Sequence, residues 1–331
     1  MSRTQDARLI AVIRSSLAWD GWQTGEASET MPSTRFVVSG GGRRLLLDIA
    51  ASHLAPKSLG RPLRDSLSVA AHRDHTSVSA GTGEVRMVLV YWEQLEVIVA
   101  LDPGREQSAC RRSRVRLRMS LLTDAYERGL AFGLGSDGCG TVAMLPGLLS
   151  HYVCAPRSIH DLAASQEIAR EMNLILSDAV IQDDTIRAVA RRRGTAASGT
   201  LLAVRASRFR ERVLSAYGYR CAICGTRDNG ITVLKIIPWT FPGTSDDTSN
   251  GLALCPNHHQ AYDKALITVN TAYQVLLSEE KARSLRRDDL HSGIGEFVAA
   301  LRPVIVLPAE ERLRPRRDLL ELGSAIRGWT G

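Results

Sequence analysis

Aromatic residues are scarce: Phe, Trp and Tyr together make up 5% of 331 residues. This disfavours a platform of stacked rings for single-stranded nucleic acid. Long hydrophobic runs are lacking too. The N-terminal stretch ARLIAVIRSSLAW (7–19) is too short and too interrupted to span a bilayer. No signal-peptide pattern precedes it, so the expectation is a soluble, cytoplasmic protein with no membrane partner. There are only six cysteines. Cys110, Cys139 and Cys154 are scattered without a framework pattern, which reads as a reducing intracellular setting. No internal repeat is visible, which excludes a solenoid.

The composition is that of an ordinary globular protein, 44% hydrophobic and 23% charged. The net charge of +7 fits a polyanionic partner, either nucleic acid or an acidic membrane surface. The length suits two globular units and a connector.

Along the chain, Ala7, Ile10, Ala11, Ile13 and Leu17 fall at helical spacing. Residues 35–39 and 44–49 are β-like runs around a Gly40–Gly42 turn, which reads as a hairpin. Residues 85–102 read as two strands around Glu93–Gln94. Residues 111–121 read as a further strand, 122–131 as a short helix, 132–144 as a glycine-rich turn between two strands, and 145–153 as a helix. The fold class expected is α+β: a mixed antiparallel-sheet domain over residues 1–160, a helical connector with a GTAASG hinge over 161–199, and a zinc-stapled C-terminal domain over 200–331.

The strongest chemical signal is Cys221-x-x-Cys224 followed, about thirty residues on, by Cys255-x-x-His258. Two tight-turn ligand pairs can close a tetrahedral zinc site, and a small unit with little core gains its stability from that metal. Between and around the pairs lie VLKIIPW (233–239), NGLALCPNHH (250–259) and Asp263. Phe209, Arg210, Val213, Leu214 and Tyr217 precede them.

Together these stretches resemble the HNH, or ββα-metal, endonuclease family, in the subgroup found in bacterial restriction-type nucleases. The resemblance covers about residues 205–270, with a weaker tail similarity towards residue 330. It implies a β-hairpin followed by a helix around one divalent cation, Mg²⁺ or Mn²⁺, beside the structural zinc. The substrate implied is DNA, cleaved by phosphodiester hydrolysis. Carried over by position, Lys235 stands where the family has its general-base histidine. Asn250 stands at the loop-holding asparagine, and His259 at the metal-binding histidine. Asp263, one helical turn beyond His259, shares its face and is a second ligand or an orienter. Two features depart from the family. KIIPW replaces HIIPW, and Leu234 stands where many members place an aspartate. Lys235 is therefore either a base with a lowered pKa or a phosphate contact in a module that binds DNA and cuts poorly. HNH modules cut one strand each, so double-strand breaks call for a homodimer or two encounters.

In the N-terminal part, Arg112, Arg114, Arg116 and Arg118 alternate with Ser113, Val115, Leu117 and Met119. On a strand the arginines would form one face, suited to successive phosphates or solvated and paired with Glu93 or Glu96. Arg208, Arg210 and Arg212, with Arg205 and the connector's Arg187 and Arg191–Arg193, would add sequence-independent backbone affinity or form ion pairs. The polar stretch 61–75, with His72 and His75, reads as a loop able to contact a base. Trp19, Trp22, Phe36, Tyr91 and Trp92 are candidates either for a base-holding pocket or for plain core.

Overall fold

A computed structural model describes residues 3–30, 33–40, 42–53, 66–70, 84–102, 114–136, 138–227, 230–242, 244–287 and 293–329. The chain divides into two compact units, Met1–Ser207 and Arg208–Gly331. The expectations for Arg112, the stretch 61–65 and the histidines at 72 and 75 fall outside the described residues, as do those for the side chains of Trp19, Phe36 and Arg114.

The first unit opens with helix α1 (Arg3–Trp19), which buries Leu9, Ile13 and Leu17 at a spacing of four. The strands are β1 (Gln23–Thr30), β2 (Ser33–Gly40), β3 (Arg43–His53), β4 (Ser66–Ala70), β5 (Glu84–Trp92), β6 (Val97–Leu101) and β7 (Arg114–Arg118). Helix α2 (Met119–Arg128) and strands β8 (Leu130–Leu134) and β9 (Gly140–Met144) follow. Among the described residues, seven strands form one sheet in the order β1-β2-β3-β5-β6-β9-β8, and β4 pairs with β7 apart from it. All ladders of the large sheet are antiparallel except β3 with β5. The expected hairpin is present, with Val38 opposite Leu45. The strand expected over 111–121 ends earlier, because helix α2 begins at Met119.

Strand β6 is buried on both faces. Ile98 and Ala100 belong to the core shared with α1, while Val97, Val99 and Leu101 belong to the core shared with α2 and β7. Trp22 and Trp92 are buried in these cores, so neither lines an open pocket. Trp22 packs beneath Gly40, where an added Cβ would lie 2.5 Å from the indole. Cys139 is disulfide-bonded, although the scattered cysteines show no framework pattern and read as a reducing setting. A bridge depends on closeness in space, which sequence spacing alone does not reveal.

Residues 161–199, expected as a helical connector with a hinge, carry helices whose apolar faces join the first unit's core. Helices α3 (Leu149–Cys154), α4 (Pro156–Asp161), α5 (Gln166–Ser177), α6 (Asp183–Arg193) and the start of α7 (Thr195–Ala216) all pack on the first unit. In α5, Ser165 Oγ caps the Ile168 amide at 3.2 Å, and Ala169, Met172 and Leu176 turn inward. Three of the α6 arginines form ion pairs within the first unit. Arg192 and Arg193 both pair with Glu171, and Arg187 pairs with Asp184.

The second unit takes the end of α7, the hairpin β10 (Thr232–Lys235) and β11 (Gly251–Leu254), and helix α8 (Pro256–Asp263). A second hairpin, β12 (Ile267–Val269) and β13 (Val275–Leu277), precedes helices α9 (Glu279–Arg287), α10 (Ile294–Ala299) and α11 (Arg317–Ile326). Gly251 is required by packing: a Cβ there would meet Val213 Cγ2 at 2.4 Å. No helix among the described residues is long and apolar enough to cross a membrane.

Because Met172 is fully buried, Met172→Ala should destabilise the first unit by about 2–5 kcal/mol. Chemical denaturation checks this; a change of less than about 0.5 kcal/mol, as for a surface site, would restore the connector reading.

Candidate functional site: a Cys/His cluster beside a His–Asp pair

The first ligand pair sits on a knuckle. The Gly225 amide donates to the Cys221 carbonyl at 2.8 Å, and the Cys221 amide to the Thr226 carbonyl at 3.0 Å. Gly225 takes φ +77°, a left-handed conformation that suits glycine. The second pair opens α8: Cys255 precedes Pro256 at the first helical position, and His258 follows within the first turn. A bond of 2.7 Å from the Ala222 amide to the Ala253 carbonyl joins the knuckle to β11.

These turns bring one ligand atom each from Cys221, Cys224, Cys255 and His258 within 4.8 Å of one another. His258 Nδ1 lies 3.0 Å from Cys255 Sγ and 3.5 Å from Cys221 Sγ. Tetrahedral zinc, with bonds of about 2.3 Å to sulfur and 2.0 Å to nitrogen, spaces those atoms about 3.5 Å apart. The cluster therefore fits zinc, with Nδ1 as the nitrogen ligand. His258 is buried, and its ring packs 5.1 Å from that of Phe297. A hydrogen bond from the Cys255 thiol holds Cys221 far below the ordinary thiol range, at about 3. The same bond, reinforced by burial, pushes Cys255 up. One thiolate, the metal-binding form, is thus favoured inside the cluster.

The same hairpin and helix carry the second set. Asn250 is fully buried. Its Oδ1 accepts the Ile237 amide at 2.9 Å, and its Nδ2 donates to the Ser245 carbonyl at 2.9 Å and to Thr244 Oγ1 at 3.3 Å. One side chain thus pins both ends of the loop 237–245, which presents Trp239 at 77% exposure.

On α8, His259 Nε2 and Asp263 Oδ2 lie 3.3 Å apart. Thr232 Oγ1 donates to the Leu254 carbonyl at 3.1 Å and lies 2.6 Å from His259 Nδ1. With the threonine hydrogen used there, Nδ1 carries a hydrogen of its own, and Nε2 faces the carboxylate. A proton on Nε2 or a cation between the two satisfies both groups, so the pair offers two ligand atoms that could hold a divalent cation. The hydrogen bond to His259 is the main cause holding the Asp263 carboxyl below its ordinary range, with Arg327 adding to it.

Lys235, at the end of β10, is not a free amine. Its Nζ pairs with Asp246, both side chains are largely buried, and it lies 5.1 Å from the centre of the Phe209 ring. A paired ammonium has no lone pair with which to take a proton.

Arg327, which no sequence motif singled out, completes the set. Its Nη1 donates to the Ile236 carbonyl at 2.7 Å, its Nη2 to the Lys235 carbonyl at 3.0 Å, and its Nε to Asp263 at 3.3 Å. The guanidinium lies 5.1 Å from the Tyr262 ring centre. Gly323 lets α11 come this close, since a Cβ there would meet Ile236 Cγ2 at 2.7 Å. The only hint in the sequence was the tail similarity running towards residue 330.

Of the expected cationic residues, Arg116 and Arg118 are exposed while Val115 and Leu117 are buried, so β7 alternates as read. Arg210 donates to the Ile231 carbonyl and Arg212 to the Asp246 carbonyl, each at 2.9 Å. Arg208 is half-buried.

The HNH endonuclease family matches residues 221–270. This segment holds both ligand pairs, Lys235, Asn250, His259 and Asp263. No curated protein matches the chain. Among solved structures, a modification-dependent TagI restriction endonuclease is similar over 86% of this chain and 81% of that one, at 12% identity and a TM-score of 0.32. A likeness at that score carries no argument about fold or function.

Two outcomes follow from this geometry. The protein should hold about one structural zinc per chain. Strong chelation or Cys221→Ser should unfold the second unit, because structural zinc contributes more than about 10 kcal/mol to such units; metal content and near-ultraviolet circular dichroism check this. Arg327→Ala should cost the second unit about 1–3 kcal/mol, as for lost hydrogen bonds to buried acceptors. Arg327→Lys should restore little of it, because an ammonium cannot reproduce the fork. Denaturation of the three proteins checks it.

Proposed function

We propose that this chain is a metal-dependent DNA endonuclease in which the second unit hydrolyses a phosphodiester and the first unit recognises DNA. The observation that carries the reading is the His259–Asp263 pair, held on one face of α8 in a zinc-stapled ββα unit whose sequence matches HNH endonucleases. Cys221, Cys224, Cys255 and His258 hold structural zinc. His259 and Asp263 hold Mg²⁺ or Mn²⁺, which when bound supplies Lewis-acid stabilisation of the phosphate and its leaving oxygen. Thr232 fixes the His259 tautomer, Arg327 fixes Asp263, and Asn250 fixes the loop beside them. Lys235 serves as a cation facing phosphate rather than as a base. The exposed arginines of β7 and those of α7 (Arg208, Arg210 and Arg212) supply backbone contacts, the latter two through whatever reach their carbonyl bonds leave. Restriction-type defence fits the layout of a reading domain ahead of an HNH module, and a homodimer would allow both strands to be cut.

A second reading rests on the Lys235–Asp246 ion pair: a module that has lost its base and binds DNA with little hydrolysis.

Plasmid cleavage with Mg²⁺, Mn²⁺ or EDTA decides between them. Under the first reading, metal-dependent nicking falls at least about a hundredfold in His259→Ala, the scale of losing a cation ligand or oriented group. Under the second, the protein binds the plasmid without nicking it, and Lys235→His creates cleavage. Absence of both binding and nicking would sink the DNA reading altogether.

A further inference from the structure

A cleft of about 520 Å³ lies in the first unit, between α2, the end of β8 with its glycine-rich turn, and α5. This is within the size range of small-molecule sites, about 300–1,000 Å³. Its apolar base is the outer side of the first unit's cores, where Leu121, Phe132 and Ala169 lie, and it is separate from the HNH segment. Among the described residues its charged lining is Arg118, Arg170 and Asp124. Asp124 is neutralised by Arg128 at 3.2 Å. Arg118 and Arg170 are exposed, and neither has an ion-pair partner among the described residues. The cleft thus carries two uncompensated guanidiniums, whose planar forks suit phosphate oxygens.

The wall between them offers a different chemistry. Asn173 bonds both ways to Phe132, donating to its carbonyl at 2.7 Å and accepting its amide at 2.8 Å. The Phe132 peptide therefore faces away from β9, on the free edge of the sheet. Leu134, two residues on, faces the same way by strand alternation and lines the cleft. Its amide and carbonyl form an edge with one donor and one acceptor beside the apolar Leu121 and Ala169.

We infer that this cleft binds a nucleotide. The phosphate lies on Arg118 and Arg170, and the planar base meets the Leu134 peptide over the apolar floor. A phosphate-free ring would leave both cations unmatched, and inorganic phosphate would leave the floor and the peptide edge unused. The nucleotide is either a free molecule or one residue of a DNA strand. Binding here requires no hydrolysis, so its outcome is separate from that of the plasmid assay.

Calorimetry on the full-length protein, without added divalent cation, tests this with the four deoxynucleoside 5′-monophosphates, the matching nucleosides, and single- and double-stranded DNA. At least one monophosphate, or DNA, should bind. The joint variant Arg118→Ala/Arg170→Ala should weaken monophosphate binding about tenfold or more, the scale of lost charge-assisted bonds; Arg170→Ala alone, which leaves the β7 arginines in place, should weaken DNA binding, while Arg157→Ala on α4 leaves both unchanged. If monophosphates bind, the matching nucleosides should bind the protein at least about tenfold more weakly. Saturation by a monophosphate identifies a free nucleotide as the ligand; a response confined to DNA identifies a nucleotide within a strand. Wild-type protein that binds neither overturns the inference, and so does a correctly folded joint variant with unaltered affinities. If the joint variant fails to fold, unaltered binding in Arg170→Gln overturns it equally.

Discussion

The second unit depends on the convergence of three thiols and one imidazole. Crowding these groups within 4.8 Å places buried polar atoms where no backbone ladder satisfies them. A tetrahedral cation resolves that cost, and the whole unit is shaped to keep the four groups together. The knuckle supplies the first pair and the entry to α8 supplies the second, while β11 runs between them. Fixing Cys255 and His258 fixes the first turn of α8. His259 and Asp263 then follow by helical geometry alone, one turn apart on a common face. The structural cluster and the candidate reactive pair are therefore consecutive steps along one helix.

The remaining restraints converge on the same few atoms. Asn250 closes the loop after β10, Thr232 sets the imidazole, and Arg327 reaches from the far end of α11 to bond the carbonyls of Lys235 and Ile236. Arg327 links the strand that carries Lys235 to the helix that carries Asp263. The site is thus assembled from β10, β11, α8 and α11, although the family match stops at residue 270.

Much of this was legible in the sequence because it is local. The Cys-x-x-Cys and Cys-x-x-His spacings, the Asn250 motif and the i, i+4 relation of His259 to Asp263 need no tertiary knowledge. The hairpins at 33–53 and 84–101 and helix α1 were equally readable from periodicity. What escaped was set by distance in space. Arg327 lies 64 residues from Asp263 in sequence, and Cys139 finds a disulfide partner that no spacing announced. Residues 161–199 read as a helical connector ending in a small-residue hinge, and Met172, Leu176 and Val189 within them are fully buried in the first unit's core. Arg192 and Arg193 pair with Glu171 on a neighbouring helix, a relation that a linear reading cannot see.

Lys235 is where the physical argument bears hardest on the chemistry. A lysine can serve as a base only when its environment disfavours the charged form. Here a carboxylate lies against it, and the face of Phe209 stabilises a cation as well. Both are partners of a cation, so the position presents an ion pair with Asp246. Such a charge can hold phosphate and offset developing negative charge, but it cannot activate water. If hydrolysis occurs, the proton leaves through another group or through solvent, and the pair formed by Lys235 and Asp246 sets how much of the family's chemistry the fold retains.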